Sequence, residues 1–184
     1  MEYTLGVKEI KGEVPIGKPE DVIALLAEHR DLERELMLVI HLDSNLDAHG
    51  IQIAAIGSKT SCCFDVSDVF REAIVRRSDA IILVHNHPRE KKVEATKDDI
   101  VCTKEIYDVS KAAKIPLLDH IIIGKNDWIS FRVEGVIIAR GQSYVLEMSR
   151  SSMKSGGGHK KRIKNMLRMV DRMGGGFVLR KRNP

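Results

Sequence analysis

Short apolar runs alternating with stretches of helical spacing predict an α/β fold, a mixed β-sheet flanked by helices with a basic C-terminal tail. The sheet is expected to be mixed because some connections between strands are too short for a parallel crossover. At 184 residues, 43% hydrophobic and 30% charged, the chain suits one ordinary domain with an appendage. That balance excludes a disordered acidic polymer and a membrane bundle.

The elements follow in order. Residues 1–17 form an N-terminal arm in which Tyr3 to Ile10 alternates loosely, as a weak edge strand does. Lys18-Pro19-Glu20-Asp21 opens a helix, with proline in the first turn and acids at the positive end of the helix dipole. Val22, Leu25, Leu26 and Leu32 continue it at helical spacing. Leu36 to Leu42 reads as a buried strand, Asp43-Ser44-Asn45 as a turn, and Ile51 to Ile56 as its hairpin partner. Asp65 or Ser67 caps a helix whose apolar face is Val66, Val69, Phe70, Ala73 and Ile74. Ala80 to Val84 is a central strand ending at His85-Asn86-His87-Pro88. A charged loop, Arg89 to Glu94, leads to Thr96 and a helix reaching about Lys114. Leu117 to Ile123 and Trp128 to Val133 are strands joined by the turn Gly124 to Asp127, and Ile137 and Val145 mark a last strand closing a domain over 18–147.

Residues 148–184 differ in kind. They hold eleven of the 30 Lys and Arg residues and one of the 26 acids, which leaves the rest of the chain with 19 basic and 25 acidic groups. Glycine triplets at 156–158 and 174–176 bracket Ile163, Met166, Leu167 and Val170, the spacing of a short amphipathic basic helix. Lys160, Lys161, Arg162, Arg180, Lys181 and Arg182 are candidates for neutralising phosphates of a nucleic acid; a solubilising extension is the alternative. Phe177 is the tail's one aromatic, too little for a base-stacking platform or a membrane-surface helix. No apolar run approaches the roughly 18 residues needed to span a bilayer, and the N-terminus lacks the pattern of a signal peptide. The three cysteines, Cys62, Cys63 and Cys102, are a poor disulfide framework. A cytoplasmic protein without membrane contact is expected.

The chemistry centres on His85 and His87. At i and i+2 on a strand, both imidazoles face one side, near enough to reach a single metal ion. Thr96-Lys97-Asp98-Asp99 is first of all the local signature of a helix N-terminus. A carboxylate in that first turn also completes a His-His-Asp set, and three protein ligands with one open position describe catalytic zinc. Such a site needs a base, and spacing does not select one among so many acids.

Three segments, Leu83-Val84-His85-Asn86-His87-Pro88, Thr96 to Ile100 and Leu117-Leu118-Asp119-His120-Ile121-Ile122-Ile123-Gly124, together resemble the RadC-like branch of the JAB/MPN (JAMM) metalloprotease superfamily. Glu35 before the strand Leu36 to Leu42 and the helix segment Val69 to Ala73 match it too, so that the resemblance covers roughly residues 20 to 138. It implies a JAB/MPN domain of cytidine-deaminase-like architecture that binds one Zn2+ per chain and hydrolyses a peptide or isopeptide bond of a peptide or protein substrate. His85, His87 and Asp99 are the implied zinc ligands and Glu35 the implied general acid/base. Thr96 occupies the position of a serine whose hydroxyl helps hold the oxyanion.

The chain also departs from the family. Eight residues separate His87 from Thr96 where the family has seven, so a strict count selects Ala95 and Asp98. Asp99 followed by Ile100 fits the family's run better and Ala95 has no hydroxyl; Asp98 is the alternative ligand. Arg89-Glu90-Lys91-Lys92 replaces the family's Ser-Gly-Asp-Pro. The chain is too short on its N-terminal side for the helix-hairpin-helix segment of longer RadC proteins. Asp119 is either a partner of a ligand imidazole or a cap at the sheet end, and His120 a hydrogen-bonded core histidine. The rival reading, from the family's association with DNA repair, is a DNA-associated binding protein with the JAB domain as scaffold and the basic tail as contact.

Overall fold

A computed structural model describes residues 5–27, 33–57, 65–88, 90, 92–140 and 143–146, of which 138–140 and 143–146 are described by backbone alone. Strands β1 (Gly6–Glu9), β2 (Leu36–Leu42), β3 (Ala48–Ile56), β4 (Ala80–His87), β5 (Leu117–Gly124) and β6 (Trp128–Ser130) form one sheet in the order β1-β3-β2-β4-β5-β6. All neighbours are antiparallel except β4 and β5, which run parallel and are joined through α3 (Lys97–Ala113). The expected mixed α/β sheet is what the chain adopts. None of the described helices is long and apolar enough to cross a membrane.

Period 2 divides the central strands between two cores. Met37, Val39, Ile81 and Leu83 pack with Val69, Phe70 and Ala73 of α2 (Val66–Val75) and with Ile100 and Ile106 of α3. Leu36, Leu38, Ile40, Ile82 and Val84 pack on the other face with Val22 and Ile23 of α1 (Pro19–Leu25) and with Leu26. Because β2 and β4 are buried on both faces, they read as unbroken apolar runs. Each full burial of such a side chain stabilises the fold by roughly 1.5–3 kcal/mol before the entropy of ordering is counted.

Local chemistry sets the element ends. Asp65 caps α2 by accepting from the Ser67 N–H, and Asp43 Oδ1 holds the β2–β3 turn by accepting from Asn45 N–H and Asp47 N–H. Several boundaries differ from expectation. Helix α1 ends at Leu25, while Leu32, expected to continue it, lies outside the described residues. Ile74 is exposed: the buried stripe of α2 runs Val69, Phe70, Ala73, and one residue further turns the side chain about 100° away. Strand β3 begins three residues before Ile51, at Ala48, and β6 stops at Ser130 because Asp119 draws the chain into a turn. Its carboxylate accepts from Ser130 Oγ and from the N–H groups of Arg132 and His120. The single last strand is two, β7 (Ile137–Arg140) and β8 (Ser143–Leu146), paired with each other in a separate ribbon. The expected tail, including Lys160, Lys161, Arg162, Arg180, Lys181 and Arg182, lies outside the described residues, as do Cys62 and Cys63.

One polar network is built around the buried His41. His41 Nδ1 lies 3.0 Å from Ser78 Oγ and Nε2 3.2 Å from Gln52 Oε1, while Gln52 Nε2 donates to the Asp68 carbonyl. Burial, with the nearby Arg76 charge, lowers the His41 pKa to about 4, against the bond to Gln52. The folded chain therefore resists a proton that the unfolded chain accepts below about 6.5. Stability from this group is complete above that pH and falls as pH drops toward 4, by about 3 kcal/mol in all. Asp119, pushed up to about 6 by burial, acts in the opposite sense between its unfolded value and pH 6, so total stability is a poor readout. The expected outcome is instead a difference: urea unfolding of wild type against His41→Gln should show a gap that shifts in the variant's favour between pH 6.5 and 4. A gap independent of pH would refute the assignment.

Candidate metal centre

Strand period places His85 and His87 on the face that packs against α3, at the C-terminal end of β4. Both are buried, and their Nε2 atoms lie 3.0 Å apart. The third member comes from the α3 N-terminus. Thr96 is the N-cap: its Oγ1 accepts from the Asp99 N–H at 3.2 Å, while its own N–H and hydroxyl donate to Asp99 Oδ2 at 2.6 and 2.7 Å. Held there, Asp99 turns Oδ1 to within 2.9 Å of His85 Nε2. Helix cap and ligand candidate are one and the same group. Asp98 is exposed, and it is Asp99 that joins the cluster, whose three donor atoms all lie within 4.8 Å of one another.

The outer sides of the two rings face other partners. Thr103 Oγ1 donates to the Asp99 carbonyl at 2.6 Å, so the same oxygen accepts from His120 Nδ1 at 2.5 Å. Burial holds the His120 pKa well below the ordinary value, with the neighbouring His85 charge adding to it, so its ring carries one proton. With Nδ1 the donor, His120 Nε2 is an acceptor, and His85 Nδ1, 2.8 Å away, must donate to it. His85 is thereby fixed with Nε2 turned to the cluster. Glu90 Oε2 stands 3.1 Å from His87 Nδ1, an ion-pair distance without full hydrogen-bond geometry, and likewise leaves Nε2 inward. Three such groups converging out of water make a place that could hold a cation. Burial alone would raise the Asp99 pKa, yet the bond with His85, its charge and the Thr96 bonds together hold it well below the usual carboxylate range. This donor set fits a divalent metal such as zinc.

Strand β5 delivers His120 through an irregularity. Ile81 pairs with Leu117 but Ile82 pairs with Asp119, so Leu118 is an extra residue in β5. Strict alternation from Leu117 would send His120 to the far face; the bulge returns it to the side of Leu83 and His85. His120 is thus the ring partner of His85, and Asp119, the candidate for that role by sequence, holds the turn after β6. Sequence spacing gives no sign of Thr103 as part of this chain of bonds.

Glu35 enters from β2. The β2–β4 ladder ends with Met37 opposite His85, and Glu35 stands two residues before Met37, just outside β2. Burial raises the Glu35 pKa, while His87 and His85 pull it down and Asp99 and Glu90 push it up, which places the carboxyl within the field of the cluster. After Pro88, Glu90 and Val93 are seated against the end of β5: Val93 is fully buried and Lys125 N–H donates to the Glu90 carbonyl. Gly124 permits this, since a Cβ there would stand 2.3 Å from Val93 Cγ2 and 2.8 Å from the Glu90 oxygen. Removing the ring partner should cost metal affinity. Thr103→Val and His120→Ala are expected to weaken binding of a divalent metal about 10–100-fold in a chelator competition; unchanged affinity in both would show that the chain of bonds does not orient His85.

Known proteins share this arrangement of sequence. The RadC-like JAB domain family matches residues 16–136. Relatives include a UPF0758 protein of Chloroflexus aggregans, 35% identical over 133 residues, 72% of this chain and 58% of that protein. Another is a UPF0758 protein of Desulfitobacterium hafniense, 37% identical over 123 residues, 66% of this chain and 54% of the relative. A third, from Methanococcoides burtonii, is 32% identical over 123 residues, 66% and 53% of the two chains. The chain therefore spans about half the length of these curated relatives. Since the matched segment contains β2 to β6, α3 and every member of the cluster, the chain belongs to the RadC-like JAB domain family.

Proposed function

We propose that the chain is a zinc-dependent hydrolase of JAMM type acting on a peptide or isopeptide bond, with zinc held by His85, His87 and Asp99. The convergence of those three side chains beside Glu35 carries the reading. Bound zinc supplies a Lewis acid for the scissile carbonyl and lowers the pKa of a water toward about 7. Glu35 takes the proton from the attacking water and gives it to the leaving amine. Its raised pKa suits a group that must both accept and release a proton near neutral pH. Thr96, whose hydroxyl is engaged with Asp99, holds that carboxylate in place and turns to the oxyanion when the carbonyl becomes tetrahedral. An amide bond is the favoured class because its poor leaving group requires both the polarised carbonyl and the returned proton.

Metal content and turnover test the proposal together. Wild type is expected to carry about one zinc per chain, and His85→Ala and Asp99→Ala to lose it. Glu35→Gln is expected to keep the metal and lose about 10²–10⁴-fold in hydrolysis across a peptide and isopeptide panel. Equal turnover by wild type and Glu35→Gln would sink the assignment of the base; wild type without metal would sink the whole reading.

A further inference from the structure

Between the two histidines stands a residue used by neither the metal centre nor the proposed chemistry. Asn86 alternates to the opposite face of β4, on the side of Val84 and α1, and is buried. The β2–β4 backbone ladder stops at Met37 and His85. Beyond it the Asn86 amide replaces the backbone as partner: Oδ1 accepts from Leu36 N–H at 2.7 Å, and Nδ2 donates to the Arg34 carbonyl at 2.9 Å. Those two groups flank Glu35. On the other side of the strand, the Glu35 carbonyl accepts from Gly57 N–H at 2.8 Å, just past the end of β3. One amide therefore fastens the peptide units before and after Glu35, and β3 fastens its own carbonyl.

We infer that Asn86 is the positioning residue for Glu35, setting the angle at which its carboxyl faces the His85–His87 side of the sheet. The inference rests on the hydrolase reading for its consequence, while its geometry is independent of it. An amide side chain suits this role because it offers one acceptor and one donor in a fixed plane, matching one N–H and one carbonyl of an extended strand. Alanine at 86 could satisfy neither, and the single oxygen of a serine could not stand where both Oδ1 and Nδ2 now stand. The same strand β4 thus carries metal ligands on one face and, through Asn86, the placement of the base on the other, so ligand and base are registered to a single element.

The test uses the full chain loaded with Co2+ in place of zinc, with 13C-labelled glutamate. In wild type the Glu35 carboxyl is expected to show a large paramagnetic shift. Asn86→Ala should still bind one cobalt per chain but lose or reduce that shift. Isosteric Asn86→Asp, which keeps the Leu36 bond and opposes the Arg34 carbonyl, should reduce it less and guards against misfolding of the alanine variant. In turnover, Asn86→Ala should lower kcat about 10²-fold with KM little changed, and add nothing when combined with Glu35→Gln. Cobalt-loaded variants with the wild-type Glu35 shift, or full additivity with Glu35→Gln, would overturn the inference and leave the metal centre intact. Wild type that binds no cobalt would instead remove the hydrolase reading beneath it.

Discussion

The antiparallel pairing of β2 with β4 is the constraint on which the rest of the molecule depends. It joins two strands buried along their whole length, sends their alternate side chains into two separate cores, and aligns Met37 with His85. That alignment brings Glu35, two residues before Met37, to the His85–His87 end of β4. A slip of one residue would move every apolar side chain of β2 to the wrong core, so the apolar pattern that stabilises the fold also holds the site in register. Here stability and function draw on the same contacts rather than competing for them.

The centre itself is different, since it burdens the fold. Two imidazoles and a carboxylate are taken out of water and brought close together, an arrangement that costs free energy unless each group is matched. The matching is local and nearly complete: Thr96 on Asp99, His120 and Thr103 behind His85, Glu90 beside His87. The partners of the two rings use atoms turned away from the centre, so that the inward atoms of His85, His87 and Asp99 face one another. The helix start adds to this, because a carboxylate in the first turn of α3 already sits in the favourable end of the helix dipole.

Much of this is legible in the sequence, and the limits have physical causes. His85 and His87 can be paired because period 2 is a property of one strand. Asp99 is legible as a cap, and the family's pattern selects it over Asp98; the two differ by one helical position, which is the difference between facing the sheet and facing water. Glu35 can be named only by resemblance, since its proximity to His87 is a matter of register between two strands far apart in the chain. Asn86 is hidden for the same reason, its partners lying on β2 and just before it. His120 looks like a core histidine and is one, yet its neighbour is the site. Ile74 and the single last strand show the opposite error, in which an apolar residue near the end of a pattern passes for a continuation of it.

The extra residue at Leu118 has a consequence for how this chain can vary. Loss of Leu118 itself would leave a regular ladder, with Asp119 still opposite Ile82 and His120 still opposite Leu83, so the histidine would keep its place behind His85. The bulge is therefore a point at which β5 can shorten by one residue without moving its histidine. A residue lost from the regular stretch after it has no such slack, because every side chain beyond would change face.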